Sequence, residues 1–461
     1  MPTDAEPEPP RVPWLLVVGV ALLAAIGAVA QLGRIHPDEV YQALEPAYAR
    51  AFGYGILAWE WQVGLRNWAV PLFLSLFLRA AAALGLRDPL ALRAAVELPQ
   101  AALHVAALAA AYRYAARRVG PKAALWAVPL VGLYGPVLTF AGRTLGESVS
   151  AAFLVVGLEL LDRPAARARA YALGGACLGL AVVARYGSAA VVVAALVWLA
   201  AARRGRALAF STLAGLAVAL ALGGLDWATW GHPFHSLRAY LDFNLFSGAA
   251  AAQFGREPDS FYAGVLARGL APWAWPGLAF AAWKQAPRVS LLLTCGVAYL
   301  GAITAAAHKE PRFIYPALFL LAVAAAPGAL GLLARVHRAD LRAGLAAALL
   351  AVSLAPLAYT PDLAVQRGDQ FRALVHASRG ATGLLVVNEG LWGAGGYFYL
   401  GKQIPWAVCD FPYDAAFRAA LAEPLVNRVV TYDGRGLDAL VAGGFRVVEQ
   451  IDRATVLARG P

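Results

Sequence analysis

Charge and thiols are both scarce in this chain. Charged residues are 15% of its 461 positions and apolar ones 60%, against roughly 25% and 45–50% in soluble domains. With a mean hydropathy of +0.60, that balance excludes a soluble globule and indicates a polytopic membrane protein. The three cysteines define no disulfide framework, since Cys177 and Cys295 lie inside apolar runs and Cys409 lies in a polar tail. The polar tail beyond residue 360 also lacks a phosphate-binding glycine loop and a metal-ligand spacing. Gly390, Gly393, Gly395 and Gly396 stand outside a strand–loop–helix context and read as turn residues. The net charge of +11 does not mark a nucleic-acid binder, because the basic residues cluster in short loops between apolar runs, where they set topology. Arginine far outnumbers lysine and alanine is abundant, which points to a GC-rich bacterial genome.

Residues 1–12 are polar and proline-rich and read as a cytoplasmic tail. Residues 13–33 are long enough to span a bilayer, with no convincing cleavage pattern after them, and are expected to form an uncleaved first helix. Further apolar runs lie near 92–112, 123–141, 144–161, 170–185, 187–202, 207–224, 263–283, 289–307, 313–333 and 343–359, for about eleven spans. Residues 68–86 are apolar enough to be another. If they span, the loops with Arg113/Arg117/Arg118/Lys122, Arg163/Arg167/Arg169, Arg203/Arg204/Arg206, Lys284/Arg288 and Arg335/Arg338/Arg342 all fall outside. If they lie along the outer surface, with Arg79 splitting the run and Trp59, Trp61 and Trp68 at headgroup level, every one of those loops is cytoplasmic. The positive-inside rule selects the second arrangement. Residues 13–360 are thus expected to be a helical membrane domain. Residues 361–461 change to a soluble α/β pattern, expected as a small domain outside the membrane, with strands at 384–388, 428–432, 446–450 and 455–458 and a helix near 414–422.

This topology gathers unusual polar residues on the outer face: His36-Pro37-Asp38-Glu39, Arg143-Thr144-Leu145-Gly146-Glu147, Arg185-Tyr186, the loop 226–262 and His308-Lys309-Glu310-Pro311-Arg312. Ionisable groups near a membrane are costly and, where they converge, point to a site. Pro37, Asp38 and Glu39 also suit the start of a helix, so capping is the alternative for that stretch. Against it, Asp38, Gln42 and Glu45 recur at i, i+4 and i+7 and would share one helix face. A carboxylate in a partly dry cleft can take a proton from an attacking hydroxyl, which makes Asp38 or Glu39 a candidate general base.

The stretch His36-Pro37-Asp38-Glu39, with Tyr41-Gln42, Glu45-Pro46, Phe52-Gly53-Tyr54-Gly55 and Trp59-Glu60-Trp61, resembles the first luminal loop of glycosyltransferase family 22, membrane α-mannosyltransferases of the GT-C superfamily. The resemblance continues, in the family's order, through Arg143-Thr144-Leu145, Asp226-Trp227-Ala228-Thr229-Trp230-Gly231, Phe243-Asn244, Phe261-Tyr262 and His308-Lys309-Glu310-Pro311-Arg312-Phe313, covering residues 1 to about 335. It implies a GT-C-like fold and an inverting transfer of a sugar, mannose foremost, from a polyprenyl-phosphate donor to a hydroxyl of a glycan, glycolipid or protein, without a cofactor. Asp38 then matches the family's base, and Glu39 orients it or binds acceptor, with a swap of roles open. In a bacterium the donor lipid is expected to be of undecaprenyl type and the site periplasmic.

An inverting displacement also needs cations for the leaving phosphate, and Arg143, Arg185, His308, Lys309 and Arg312 are the candidates. His36, Gln42, Glu45, Trp59, Glu60, Glu147, Asp226, Tyr262 and Glu310 are the candidates for holding substrate. The alternatives are a transporter or flippase of a lipid-linked saccharide, for which midplane polar groups or inverted repeats are expected and not evident, and a scaffold presenting the C-terminal domain. A metal at His36, Asp38 and Glu39 lacks a further ligand at clear spacing.

Overall fold

The computed structural model describes residues 10–164, 166–285, 290–391, 394–410 and 414–460. Arg288, Gly393 and most of the tail 1–12 lie outside the described residues. The chain divides into two compact units, one of Met1–Gly27, Val63–Ala69 and Pro99–Ala364, the other of Ala28–Gln62, Val70–Leu98 and Val365–Pro461.

The first unit is helical, as backbone in hydrocarbon must be when it satisfies its own hydrogen bonds. Among the described residues, five helices, some shared with the second unit, are long and apolar enough to cross a membrane: Trp14–Gln31, Pro89–Val119, Gly205–Trp230, Pro311–Leu333 and Ala339–Tyr359. The protein is an integral membrane protein. Three further expected runs appear as the shorter apolar helices Ala168–Ala184, Tyr186–Ala201 and Leu291–Ala305, and the run 144–161 as the helix Gly146–Asp162. The last two runs are broken, 123–141 into Pro121–Ala124, Ala127–Gly132 and Gly135–Phe140, and 263–283 into Phe261–Gly269 and Ala274–Gln285. Pro121, Pro129, Pro136 and Pro272 stand at or beside these breaks, where a missing N–H and a fixed φ interrupt the ladder. Residues 68–86 form the helix Ala69–Ala83, which buries one face through Pro71, Leu74, Ser75, Leu78 and Ala81.

Close helix packing in this unit depends on small residues, as it does where lipid removes the hydrophobic drive between helices. A Cβ on Gly175 would come within 2.1 Å of the Ser211 carbonyl, and one on Gly328 within 2.0 Å of the Gly277 carbonyl. The helix Tyr315–Leu333 is the centre of the packing, with every residue from Tyr315 to Leu330 buried.

The second unit carries a five-stranded sheet of β1 (Leu384–Val387), β2 (Trp406–Cys409), β3 (Arg428–Thr431), β4 (Arg446–Ile451) and β5 (Ala454–Ala458). Its order is β2-β1-β3-β5-β4. β1 is parallel to β2 and β3, while β5 runs antiparallel to β3 and β4. Leu385, Val387, Phe417, Val426, Val429, Leu440, Phe445 and Leu457 form a core there. The four strands and the helix read from the sequence all appear, the helix as Ala415–Ala422 with Asp414 capping it by accepting the Phe417 N–H at 3.0 Å. β2 escaped the sequence reading because its four residues are all half-buried and show no alternation. The same unit holds a π-helical turn, Glu39–Leu44, running into the helix Glu45–Phe52.

Candidate functional site

In the second unit, His36-Pro37-Asp38-Glu39 leads directly into the π-helical turn, a wider winding often found at functional positions. Asp38 has helical backbone angles, yet its side chain makes no capping hydrogen bond. Its Oδ1 lies 3.1 Å from His36 Nδ1, with 22% of the Asp38 side chain and 34% of the His36 side chain exposed. Glu39 takes the local structural role, since it is 1% exposed and accepts the Ile35 N–H at 3.3 Å. The two adjacent carboxylates are thereby separated, with Asp38 towards solvent and Glu39 inside.

The expected face of Asp38, Gln42 and Glu45 does not form. Its spacing assumed 3.6 residues per turn, and the wider i→i+5 winding carries Glu45 inwards, to no exposure at all. Glu45 accepts the Ile56 N–H at 2.8 Å with Oε2 and the Phe398 N–H with Oε1. Burial pushes its carboxyl up to about 7, against the pull of those N–H groups and that of Tyr397. Gln42 Nε2 donates to both carboxylate oxygens of Glu60, at 3.2 and 3.0 Å. Trp59 is half-buried in the same short helix, Trp59–Gln62. Sequence reasoning missed the fully buried Arg93, paired with Glu97 at 2.8 Å. The signal for it was an i, i+4 pair of opposite charge beside an apolar run.

The first unit assembles cations. Glu147, 1% exposed, receives Arg185 NH1 on Oε1 at 2.6 Å and stands 3.4 Å from Arg312 NH1. Glu310 holds Arg312 Nε at 2.6 Å with one oxygen and His308 Nε2 at 3.0 Å with the other. Arg185 Nε donates to the Tyr299 hydroxyl at 3.1 Å, and its guanidinium lies 4.5 Å from the centre of the Phe313 ring. Arg185, Arg312 and His308 are thus brought together around two carboxylates. Lys309 turns elsewhere, donating to the Glu257 carbonyl at 2.9 Å, and Arg143 is wholly buried. Tyr262, 1% exposed, donates to the Glu310 carbonyl at 3.1 Å. Asp226 is buried and accepts both the N–H and the hydroxyl of Ser236, at 2.9 and 2.6 Å. Ser236 is in turn bonded to Tyr186, beside Arg185.

The helix Gly146–Asp162 relates this cluster to the basic loops. Glu147 lies in its first turn, and Glu159 and Asp162 in its last. There Glu159 meets Arg117 and Arg163, and Asp162 meets Arg117 and Arg118. Arg204 donates to the Arg163 carbonyl. Three loops expected on one side of the membrane therefore join at one end of this helix, and the cation cluster sits at the other, about 18 Å away along the axis. Among the described residues, no three His, Cys, Asp or Glu side chains gather as metal ligands would.

The model of the family described as Alg9-like mannosyltransferases matches residues 13–374. GPI mannosyltransferase 3 of Yarrowia lipolytica is 29% identical over 341 residues, which are 68% of this chain and 62% of that protein. The GPI mannosyltransferase 3 of Drosophila melanogaster is 32% identical over 146 residues, 32% of this chain and 24% of that one. The match thus spans about three-fifths of the first relative's length and a quarter of the second's. The crystal structure of ArnT from Cupriavidus metallidurans bound to undecaprenyl phosphate shares the fold, with a TM-score of 0.61 at 14% identity over 97% of this chain and 99% of that one. Both curated relatives named are eukaryotic, so the bacterial expectation has composition alone behind it.

Proposed function

This chain belongs to the Alg9-like mannosyltransferase family, and on that premise we propose that it is an inverting mannosyltransferase that draws on a polyprenyl-phosphate donor at the outer membrane face. The reaction needs a base for the acceptor hydroxyl and cations for the leaving phosphate. In the second unit Asp38 is the base. It takes the proton of the acceptor hydroxyl while the oxygen bonds to the anomeric carbon, and the bond from that carbon to the donor phosphate breaks on the opposite side. Within the first unit Arg185, Arg312 and His308 form a cation cluster with the chemistry to hold a phosphate, and Glu147 and Glu310 keep those cations in fixed orientation. The reading invokes no cofactor. The names of the GPI mannosyltransferases support a glycolipid as acceptor, and the ligand of ArnT is in keeping with a polyprenyl-phosphate donor.

The observation that carries the base assignment is the split between neighbouring carboxylates: Asp38 is partly exposed and uninvolved in capping, while Glu39 is internal and bonded to the backbone. Purified protein, given polyprenyl-phosphate mannose and a glycolipid acceptor, is expected to form a mannosylated product detectable by mass spectrometry. Asp38→Asn is expected to lower turnover by about 10²-fold or more with expression intact. Normal turnover in that variant would overturn the assignment, and movement of the donor across vesicles without product would favour a flippase.

A further inference from the structure

Residues beyond 360 carry no motif of their own, yet within the second unit they are tied to the stretch around Asp38 at three points. Ahead of Asp38, Arg34 and Gln366 exchange two main-chain hydrogen bonds, each of 2.8 Å. After it, the Tyr41 hydroxyl donates to the Leu391 carbonyl. A turn later, the Glu45 carboxylate bridges the Ile56 and Phe398 N–H groups, one on each oxygen. Asp38 is thus bracketed in sequence by contacts that all end between residues 366 and 398.

The Glu45 contact is specific in a way that ordinary packing is not. Burying a carboxyl is costly unless its oxygens are satisfied, and here both find backbone donors. The partner backbone comes close only because residue 396 is glycine. Its φ is +67°, and a Cβ there would lie 2.4 Å from Glu45 Cδ and 2.5 Å from Oε1. Gly395 before it also has a positive φ, +83°. None of these residues belongs to the sheet core around Leu385, Phe417 and Leu457, so the contact is not a by-product of closing the sheet.

We propose that Glu45 is a positioning residue which, through Phe398 and Gly396, fixes the Asp38 loop to the helix Gly396–Leu400 and so makes the C-terminal segment part of the transfer machinery. The inference rests on the assignment of Asp38 as base. Glu45 itself touches no substrate in this account. Its effect is on where Asp38 stands when the acceptor hydroxyl arrives, a placement in which an error of about 1 Å costs about 10²-fold in rate.

The test uses the full chain in lipid nanodiscs with polyprenyl-phosphate mannose and a glycolipid acceptor. Glu45→Ala and Gly396→Ala are expected to lower kcat about 10²-fold while the KM for donor stays within about threefold. Glu45→Gln keeps an acceptor oxygen for Phe398 and is expected to recover about tenfold of that loss. Gly390→Ala, where an added Cβ meets nothing within 4 Å, is expected to turn over normally. Amide exchange across residues 36–44 should quicken in Glu45→Ala, and exchange across 146–162 should not. A kcat for Glu45→Ala within about twofold of the parent, or a loss of kcat without faster exchange at 36–44, overturns the proposal. Should Glu45→Ala not accumulate as folded protein, Glu45→Gln and Tyr41→Phe are scored by the same two readouts, and parental behaviour in both overturns it. If Asp38→Asn still turns over, the base assignment fails whatever Glu45 does. If Asp38→Asn is inactive and Glu45→Ala is not, this inference alone fails.

Discussion

At the scale of single residues, Glu45 makes a prediction that depends on its proton rather than on turnover. Burial lifts its carboxyl to about 7 from an ordinary 4.5. Between those values the unfolded chain has released the proton and the folded chain still holds it. The folded state binds more protons in that window, so the Glu45 contribution is greatest below about pH 4.5 and is lost as pH rises towards about 7. Thermal unfolding of the detergent-solubilised protein should show a midpoint that declines through this window, and Glu45→Gln should flatten the decline. An equal decline in the variant would mean that other groups cause it. The same residue shows why a neighbour in sequence is a poor guide to role: Asp38 and Glu39 differ in chemistry by one methylene, but only Glu39 is turned under the loop towards the Ile35 N–H.

At the scale of elements, buried charge is the feature with the sharpest energetic consequence. Arg93 and Glu97 face each other one turn apart in the helix Pro89–Val119, with 0% and 6% of their side chains exposed. Removing one partner takes away the 2.8 Å ion pair of a buried charge, so Glu97→Ala is expected to be destabilising by up to about 3–5 kcal/mol, whereas Arg93→Met with Glu97→Leu should recover part of that. Thermal midpoints of the single and double variants decide it. A double variant as unstable as the single would show that Arg93 has further work in the fold. Helix contacts give a second element-scale test. Because a Cβ on Gly328 would meet the Gly277 carbonyl at 2.0 Å, Gly328→Leu should separate Ala274–Gln285 from Pro311–Leu333 and abolish the monodisperse folded fraction in size-exclusion chromatography. The breaks at Pro121, Pro129, Pro136 and Pro272 were legible as residues in the sequence, but the apolar runs around them concealed how short the resulting helices are.

At the scale of the whole molecule, the two charged ends of the helix Gly146–Asp162 should lie on opposite sides of the membrane. In a Cys409→Ser background, a cysteine at Asp259, whose side chain is 94% exposed, should react with an impermeant maleimide from the outer side. One at Arg338, 77% exposed, should react only after the membrane is opened. The reverse pattern would invert the topology. Several features were settled by the chain's own chemistry. An excess of apolar runs, basic loops between them and short β-rich stretches after residue 380 determined a membrane protein with an α/β segment beyond residue 360, because periodicity and hydropathy are local properties, whereas the mixed pairing of the five strands came only with the structure. The motif His36-Pro37-Asp38-Glu39 was equally legible, as was the set of cations that includes Arg185 and Arg312. Tertiary structure alone decided that Glu45 turns inwards, that Lys309 spends its charge on the Glu257 carbonyl, that Asp226 holds Ser236, and that residues 28–62 share a compact unit with residues 365–461. Each of these depends on how a turn is wound or on which distant backbone comes within 3 Å, and neither the winding nor the distant partner is written in the spacing of residues along the chain.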